Sequence, residues 1–163
     1  MPSKKVILTG SFGVGKTSLF NRFISNTFGE RYLTTIGVKV DKKEVQIGDQ
    51  AVHLILWDIA GEVTQDKVPT TYFLGTSAVI YVVDLTRPST LVNLQRDIDF
   101  LKNLIPGCLI RIVGNKVDLL TPEQVQQVTQ QTHFDTITSA KSGENVEELF
   151  TEIAGRFINI VDV

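Results

Sequence analysis

The stretch "GSFGVGKTS", residues 10–18, combines glycines, a lysine and hydroxyl side chains at short spacing. It contains a glycine, four further residues and then Gly-Lys-Thr. The apolar run Val6-Ile7-Leu8 precedes it, and apolar residues at helical spacing follow it from Leu19. The stretch therefore lies between a predicted strand and a predicted helix, which is the context that a phosphate-binding loop requires.

Each residue type in this loop suits a phosphate chain. Glycines let the backbone turn so that its N–H groups point inward and donate to phosphate oxygens. Lys16 would bring a positive charge to the outer phosphates, where it is also a candidate catalytic residue, and Thr17 would offer its hydroxyl to Mg²⁺. The start of the following helix favours anions. The residues predicted to bind nucleotide here are Gly13, Val14, Gly15, Lys16, Thr17 and Ser18.

A second motif, "NKVD" at residues 115–118, follows a predicted strand and would select the base. The carboxylate of Asp118 can accept hydrogen bonds from the N1–H and the exocyclic amine of guanine. Adenine has neither donor and would leave the carboxylate unpaired, so the site would discriminate strongly in favour of guanine. We expect Asn115 to tie this loop to the phosphate loop and Lys116 to lie along the base.

A third motif, "TSAK" at residues 138–141, follows a short predicted strand at 134–137. The backbone N–H of Ala140 could donate to the guanine carbonyl, and Ser139 and Lys141 flank it. Each of the last two motifs is weak alone, because a surface turn often has such a sequence. In this order and spacing, the three motifs together predict a site for GTP or GDP.

The elements around these motifs alternate between apolar runs and helical patterns. Strands are predicted at residues 4–10, 38–47, 51–58, 77–84 and 108–115, the second and third joined by a hairpin at Gly48-Asp49. The helix after Pro88 would bury Leu91, Leu94, Ile98 and Leu101, and the last helix Val146, Leu149, Phe150, Ile153 and Phe157. Capping patterns begin at Thr121 and Asn145. The alternation predicts one α/β domain over residues 1–163, with a largely parallel sheet covered by helices on both faces.

Composition narrows the setting. The 163 residues are 42% apolar and carry a formal charge of -2, which argues against a nucleic-acid-binding surface. Cys108 is the only cysteine, which suits a reducing compartment, and we expect a cytoplasmic protein. Neither His53 nor His133 has a second ligand at metal spacing. The two ends show no cysteine for prenylation and no glycine for myristoylation, so no lipid anchor is expected in this chain.

The three motifs, with "TIGV" at 35–38 and "LILWDIAG" at 54–61, carry a resemblance to a known family. The chain resembles a Ras-superfamily small GTPase over nearly its whole length and looks most like the Rab branch. The resemblance implies a P-loop G domain with a six-stranded, mostly parallel sheet and five helices. It also implies a switch that binds GTP or GDP with Mg²⁺, hydrolyses GTP, and senses the third phosphate through residues 30–40 and 60–75.

The same resemblance assigns roles to further residues. Phe28 would stack edge-on against guanine, and Tyr32 would lie over the phosphates. Thr35 would bind Mg²⁺ and the γ-phosphate, Asp58 would hold Mg²⁺ through water, and the Gly61 N–H would contact the γ-phosphate. Thr35 and Gly61 are therefore candidate catalytic residues as well, and so is Glu62, which follows Gly61 directly.

Partners are implied in the same way. Effector proteins would bind only the GTP form, and exchange factors and GTPase-activating factors would act on the switch. By analogy with Rab proteins, the apolar effector contacts would be Ile36, Val38, Trp57, Tyr72 and Phe73. For Trp57 and Tyr72 a place in the core is an equally good interpretation.

Two residues depart from the family pattern. Glu62 stands where most members have the glutamine that orients the attacking water, and a carboxylate is repelled by an anionic phosphate. Phe12 stands where most members have a small residue, and a ring there would crowd any arginine supplied by a partner. We therefore predict slow hydrolysis. Gln65, three residues after Glu62, is an alternative water-orienting residue.

Two functions from other classes remain open. A scaffold that holds GTP or GDP permanently would also need the nucleotide site, and Glu62 favours it. A small-molecule kinase would share the phosphate loop, but it would usually need an arginine-bearing lid, for which the chain has no insertion. The sequence is also compatible with the GTPase part of a larger protein.

Overall fold

The computed structural model describes residues 2–26, 38–59 and 65–161, which form one six-stranded sheet and four α-helices. The strands are β1 (Ser3–Gly10), β2 (Val38–Ile47), β3 (Gln50–Ile59), β4 (Thr76–Asp84), β5 (Leu109–Asn115) and β6 (Thr136–Ile137). The helices are α1 (Lys16–Ser25), α2 (Leu94–Leu104), α3 (Pro122–Gln131) and α4 (Val146–Val161). All predicted strands and the hairpin are confirmed, although β6 is shorter than predicted.

The sheet has the strand order β2-β3-β1-β4-β5-β6. Only β2 runs antiparallel to its neighbour, because the tight turn at Gly48-Asp49 connects it directly to β3. The other neighbouring pairs are parallel. A mostly parallel sheet is therefore confirmed.

Both faces of the sheet are covered, because side chains along each central strand alternate between them. On β4, Ala78, Ile80 and Val82 belong to a cluster that contains residues of α1 and α4. Val79, Tyr81 and Val83 belong to a second cluster with residues of α2. Helices on both faces are thus confirmed, and the core lies in two layers around the sheet.

The helices follow their sequence patterns closely. The rings of Phe23 on α1 and Phe150 on α4 stack with centroids 3.9 Å apart. The five apolar residues predicted for α4 are all buried. Thr121 and Gln124 form the predicted capping box at α3. Among the described residues, no helix has the length and apolar character needed to cross a membrane.

The helix predicted after Pro88 is confirmed, but it begins after Leu91, which was predicted to lie in it. A 3-10 turn occupies Pro88–Leu91, and α2 begins at Leu94. The hydroxyl of Thr90 accepts from the N–H of Asp84 and donates to the carbonyl of Arg87, which ties this turn to the end of β4. Leu91 still packs against the same apolar cluster as Leu94.

The resemblance implied five helices, but the described residues contain four. Between β3 and β4 the described part of the chain has two 3-10 turns, Gln65–Lys67 and Thr70–Phe73. Pro69 lies between them with φ -53° and ψ 128°, outside the helical region. Since proline has no N–H to donate, it separates the two turns.

Candidate functional site

Three loops begin at the same edge of the sheet, and two of them carry predicted motifs, the phosphate loop and the loop with "NKVD". β1 ends at Gly10, β4 at Asp84 and β5 at Asn115, and Asp84 is the register partner of Asn115. These strands are parallel neighbours, so their carboxyl ends lie side by side. This is the edge at which open α/β sheets bind ligands.

The phosphate-loop sequence requires glycine at Gly10 and Gly15. Gly10 has φ +146°, and a Cβ there would lie 2.3 Å from the carbonyl oxygen of Val82. Gly15 has φ +100°, and a Cβ there would lie 2.3 Å from Nδ2 of Asn115. A side chain at either position would force the loop away from β4 or β5.

Lys16 lies beside this loop and is 6% exposed. Its ammonium donates to the carbonyl of Ser11 at 3.4 Å. Burial lowers the pKa of Lys16, and the nearby carboxylate of Asp58 opposes this shift. A second anion at this position would stabilise the charged form of the lysine further, so the site is suited to an anionic group.

Two of the three predicted metal ligands, Thr17 and Asp58, meet next to Lys16. The hydroxyl of Thr17 donates to Oδ2 of the buried Asp58 at 2.5 Å. A hydroxyl and a carboxylate are oxygen donors of the kind that Mg²⁺ prefers. The donor chemistry and the adjacency of these two residues therefore fit Mg²⁺.

The base-selecting loop is bonded directly to the phosphate loop. Asn115 Nδ2 donates to the carbonyl of Val14 at 3.0 Å, and Lys116 Nζ donates to that of Gly13 at 3.0 Å. Asn115 Oδ1 in turn accepts from the hydroxyl of Thr138 at 3.0 Å. The expected tie through Asn115 is present, and it links all three sequence motifs.

Asp118 is braced from the third motif, since the hydroxyl of Ser139 donates to its Oδ1 at 2.8 Å. The N–H of Ala140 donates to Asn115 Oδ1 at 3.3 Å. This bond is longer than is usual, so a guanine carbonyl would compete with Asn115 for the N–H. Arg22 of α1 holds the loop from behind by donating to the carbonyls of Ala140 and Lys141.

Sequence reasoning missed a charged cluster that contacts the backbone of the phosphate loop. Asp84 is 1% exposed and pairs with Arg87 at 3.0 Å and with Lys116 at 2.8 Å. Arg87 Nη2 also donates to the carbonyl of Phe12 at 2.7 Å. A signal was present, because "VVDLTR" places a carboxylate at the end of an apolar strand and a cation three residues later.

The electrostatics of Asp84 favour its charged form. Burial alone would raise the pKa of Asp84. Hydrogen bonds from Lys116 and Thr86, with the charge of Lys116, outweigh burial and leave the pKa below its usual value. The ionised carboxylate of Asp84 can therefore pair with Arg87 and Lys116, both of which also donate to backbone carbonyls of the phosphate loop.

The predicted effector contacts among the described residues lie in the core or are partly buried against it. Phe73 is 1% exposed and belongs to the core, so its prediction as a surface contact was wrong. Val38, Trp57 and Tyr72 are partly buried against the α2-side cluster. The ammonium of Lys5 lies 3.7 Å from the centroid of the Trp57 ring and donates to the carbonyl of Tyr72.

Several predicted site residues lie outside the described part of the chain. These are Phe28, Tyr32, Thr35, Ile36, Gly61 and Glu62. Phe12 is described, and its ring is 57% exposed at the phosphate loop. Gln65 is 1% exposed and accepts from the Thr9 hydroxyl at 2.6 Å, an arrangement that does not present its side chain to a water molecule.

The sequence matches one protein family and several individual proteins with related names. The model of the Ras family matches residues 5–159. The chain is 34% identical to the Ras-related protein RABA1h of Arabidopsis thaliana over 164 aligned positions, which cover 96% of this chain and 75% of that protein. It is 34% identical to the Ras-related protein Rab-1 of Theileria parva over 160 positions, with coverages of 92% and 72%. It is 33% identical to human Ras-related protein Rab-22A over 159 positions, with coverages of 93% and 82%.

Proposed function

Because the chain belongs to the Ras family, we propose that it is a Mg²⁺-dependent switch that hydrolyses GTP slowly and binds effectors in its GTP form. Membership of this Rab-like family supports a small GTPase with a G-domain fold. One observation carries the proposal furthest: Asn115 and Lys116 donate directly to the carbonyls of Val14 and Gly13. These bonds would couple the base-selecting loop to the phosphate loop.

In this proposal Asp118 selects guanine through the N1–H and the exocyclic amine. Ser139 holds one carboxylate oxygen and so limits the rotation of the side chain. Orienting an acceptor before the ligand arrives reduces the entropy lost on binding. The base would therefore meet an acceptor that is already in place.

At the other end of the site, the loop amides and Lys16 bind the phosphates. The buried ammonium of Lys16 stabilises the negative charge that develops on the phosphate oxygens during hydrolysis. Thr17 and Asp58 would hold Mg²⁺, which neutralises phosphate charge when it is bound. Thr35 and Gly61 would contact the third phosphate, and hydrolysis removes the group that they contact.

Slow hydrolysis follows from Phe12 and Glu62. The exposed ring of Phe12 stands at the loop, where it would crowd an arginine supplied by a partner. Glu62 would bring a negative charge towards an anionic phosphate in place of a neutral, water-orienting amide. Any partner that accelerates hydrolysis would then have to use a different geometry.

The Phe12→Gly and Glu62→Gln variants are expected to hydrolyse GTP faster than the wild type, by about tenfold or more together, because water orientation contributes on this scale or above. Single-turnover hydrolysis of GTP-loaded protein measures the rate. Phe12→Leu and Glu62→Asp are matched controls that keep the bulk and the charge. Wild-type rates equal to or above those of both variants would overturn this part of the proposal.

A permanently loaded scaffold is the second candidate, and the carboxylate at Glu62 is the observation that favours it. Nucleotide content and exchange after purification separate the two candidates. Exchange of bound GDP for GTP, followed by measurable hydrolysis, supports the switch. Nucleotide that neither exchanges nor turns over supports the scaffold.

Removal of the Arg87 guanidinium, which donates to the carbonyl of Phe12 in the phosphate loop, should loosen the nucleotide. Arg87→Ala is expected to raise the dissociation rate of GDP by about twofold to tenfold, as loss of a hydrogen bond from a partly exposed charged group predicts. Release of a fluorescent GDP analogue measures the rate. Arg87→Lys should restore part of the effect, and Arg156→Ala, at a surface arginine of α4, should change nothing. An unchanged rate of GDP dissociation in Arg87→Ala would show that the bond from Arg87 to Phe12 does not stabilise the phosphate loop.

A further inference from the structure

The guanidinium of Arg22 bonds to two successive backbone carbonyls of the third motif. Arg22 lies in the last turn of α1. Its Nε donates to the carbonyl of Ala140 at 2.8 Å, and its Nη2 donates to the carbonyl of Lys141. A guanidinium is planar and its donors have a fixed spacing. The two bonds together therefore restrain the orientation of both peptide groups.

The turn formed by residues 139–143 is also closed by its own backbone. The N–H of Gly143 donates to the carbonyl of Ser139 at 2.8 Å. That carbonyl and the N–H of Ala140 belong to the same peptide group, so the bond orients the Ala140 N–H from one side. Arg22 restrains the two peptide groups that follow. The Ala140 N–H thus lies in a turn that is held on both sides.

Arg22 itself is anchored to the core through α1. The neighbouring Phe23 is 1% exposed, and its ring stacks on that of Phe150 on α4. The guanidinium also donates from Nη1 to Oδ1 of Asn26, which caps the end of α1, at 3.4 Å. The turn 139–143 is therefore tied to a packed helix, the same helix that follows the phosphate loop.

We propose that Arg22 is a positioning residue for guanine recognition, because it holds the turn 139–143 in an orientation that presents the Ala140 N–H to the base carbonyl. The inference rests on the proposed function, since it needs that N–H to contact guanine. The N–H donates to Asn115 Oδ1 at 3.3 Å, a length at which a base carbonyl can replace this acceptor. Without the bonds from Arg22, the turn would adopt further orientations, and the base would meet a smaller population with the N–H in place.

Two base analogues separate this contact from the contact with Asp118. The nucleotide 6-thio-GDP keeps the N1–H and the amine that face Asp118, but it has sulfur, a weaker acceptor, in place of the base carbonyl oxygen. IDP keeps that oxygen and lacks the amine. The affinity ratio of GDP to 6-thio-GDP therefore reports on the Ala140 N–H, and the ratio of GDP to IDP reports on Asp118.

The test measures both ratios by competition, in the full chain with Mg²⁺, for the wild type and for Arg22→Met, which keeps an unbranched stem but removes the donors. The wild type should bind GDP about threefold to tenfold more tightly than 6-thio-GDP, as the worth of one hydrogen bond predicts. In Arg22→Met, GDP affinity should fall by about the same factor, while 6-thio-GDP affinity should change by less than about twofold. The ratio of GDP to IDP should stay the same.

Two further variants serve as controls. Arg22→Lys keeps a charged donor and should restore part of the preference for GDP over 6-thio-GDP. Arg156→Met removes an exposed arginine of α4 and should leave both ratios at their wild-type values. Each ratio comes from two nucleotides on one preparation, so a smaller folded fraction does not alter it.

The outcomes distinguish this inference from the proposed function. If Arg22→Met weakens GDP and 6-thio-GDP by the same factor, or weakens neither, Arg22 does not orient the Ala140 N–H and the inference is wrong. Equal binding of GDP and 6-thio-GDP by the wild type would also overturn it. If the wild type binds none of the three nucleotides, the proposed function itself fails.

Discussion

Replacement of Gly15 by alanine is expected to lower the affinity for GTP by about 30-fold to a few thousand-fold. Gly15 has φ +100°, and the new Cβ would lie 2.3 Å from Nδ2 of Asn115. A left-handed conformation costs a non-glycine residue about 1–2 kcal/mol, and loss of the buried bond from Asn115 to Val14 adds about 1–3 kcal/mol. Because Asn115 also bonds to Thr138, the change would disturb the base loop as well.

Titration of nucleotide-free protein with a fluorescent GTP analogue measures this loss. Gly48→Ala is the matched control, because Gly48 has φ +58° but no atom within 4 Å of a new Cβ. It would introduce backbone strain in the β2–β3 turn and lower the free energy of unfolding by about 1 kcal/mol, with nucleotide affinity unchanged. Equal losses of affinity in both variants would mean that strain alone, and not the contact with Asn115, explains the effect.

The sequence could predict the elements whose pattern is local. The alternation of apolar residues in β4 and the helical spacing in α4 depend on one face being buried, and both are visible within a single segment. The phosphate loop, Asn115 and Asp118 were singled out because their residue types recur at a fixed spacing and each follows a predicted strand. The tie from Asn115 to the phosphate loop was also predicted, whereas its bonds with Thr138 and Ala140 were not.

The contacts that sequence reasoning missed join distant segments through polar side chains. Arg87, which pairs with Asp84, donates to the carbonyl of Phe12 in the phosphate loop, and Thr9 and Gln65 meet inside an otherwise apolar layer. A threonine at the end of a strand and a glutamine in a connection usually face solvent, so burial of Gln65 was not visible in the pattern. These contacts depend on the path of the loops between the strands. The spacing of apolar residues within one segment does not encode that path.

The substitution Asp118→Asn is expected to change the base that the protein prefers. Two hydrogen bonds from guanine to a charged acceptor would be lost or weakened, at about 1.5–3 kcal/mol each, so GTP affinity should fall by about 10²- to 10⁴-fold. Asparagine carries an amide donor beside its carbonyl oxygen. Xanthine has a carbonyl at the carbon where guanine has its amine, so the amide can donate to it while the carbonyl oxygen accepts from N1–H.

Competition between GTP and xanthosine triphosphate measures this change in Asp118→Asn and in the wild type. Asp99→Asn makes the same chemical change at an exposed carboxylate of α2 and should leave the preference for guanine intact. Ser139→Ala removes the brace on Asp118 and should weaken GTP binding without reversing the preference, because the carboxylate remains. If Asp118→Asn continues to favour GTP as strongly as the wild type, Asp118 does not contact the base, and the specificity for guanine must come from other groups.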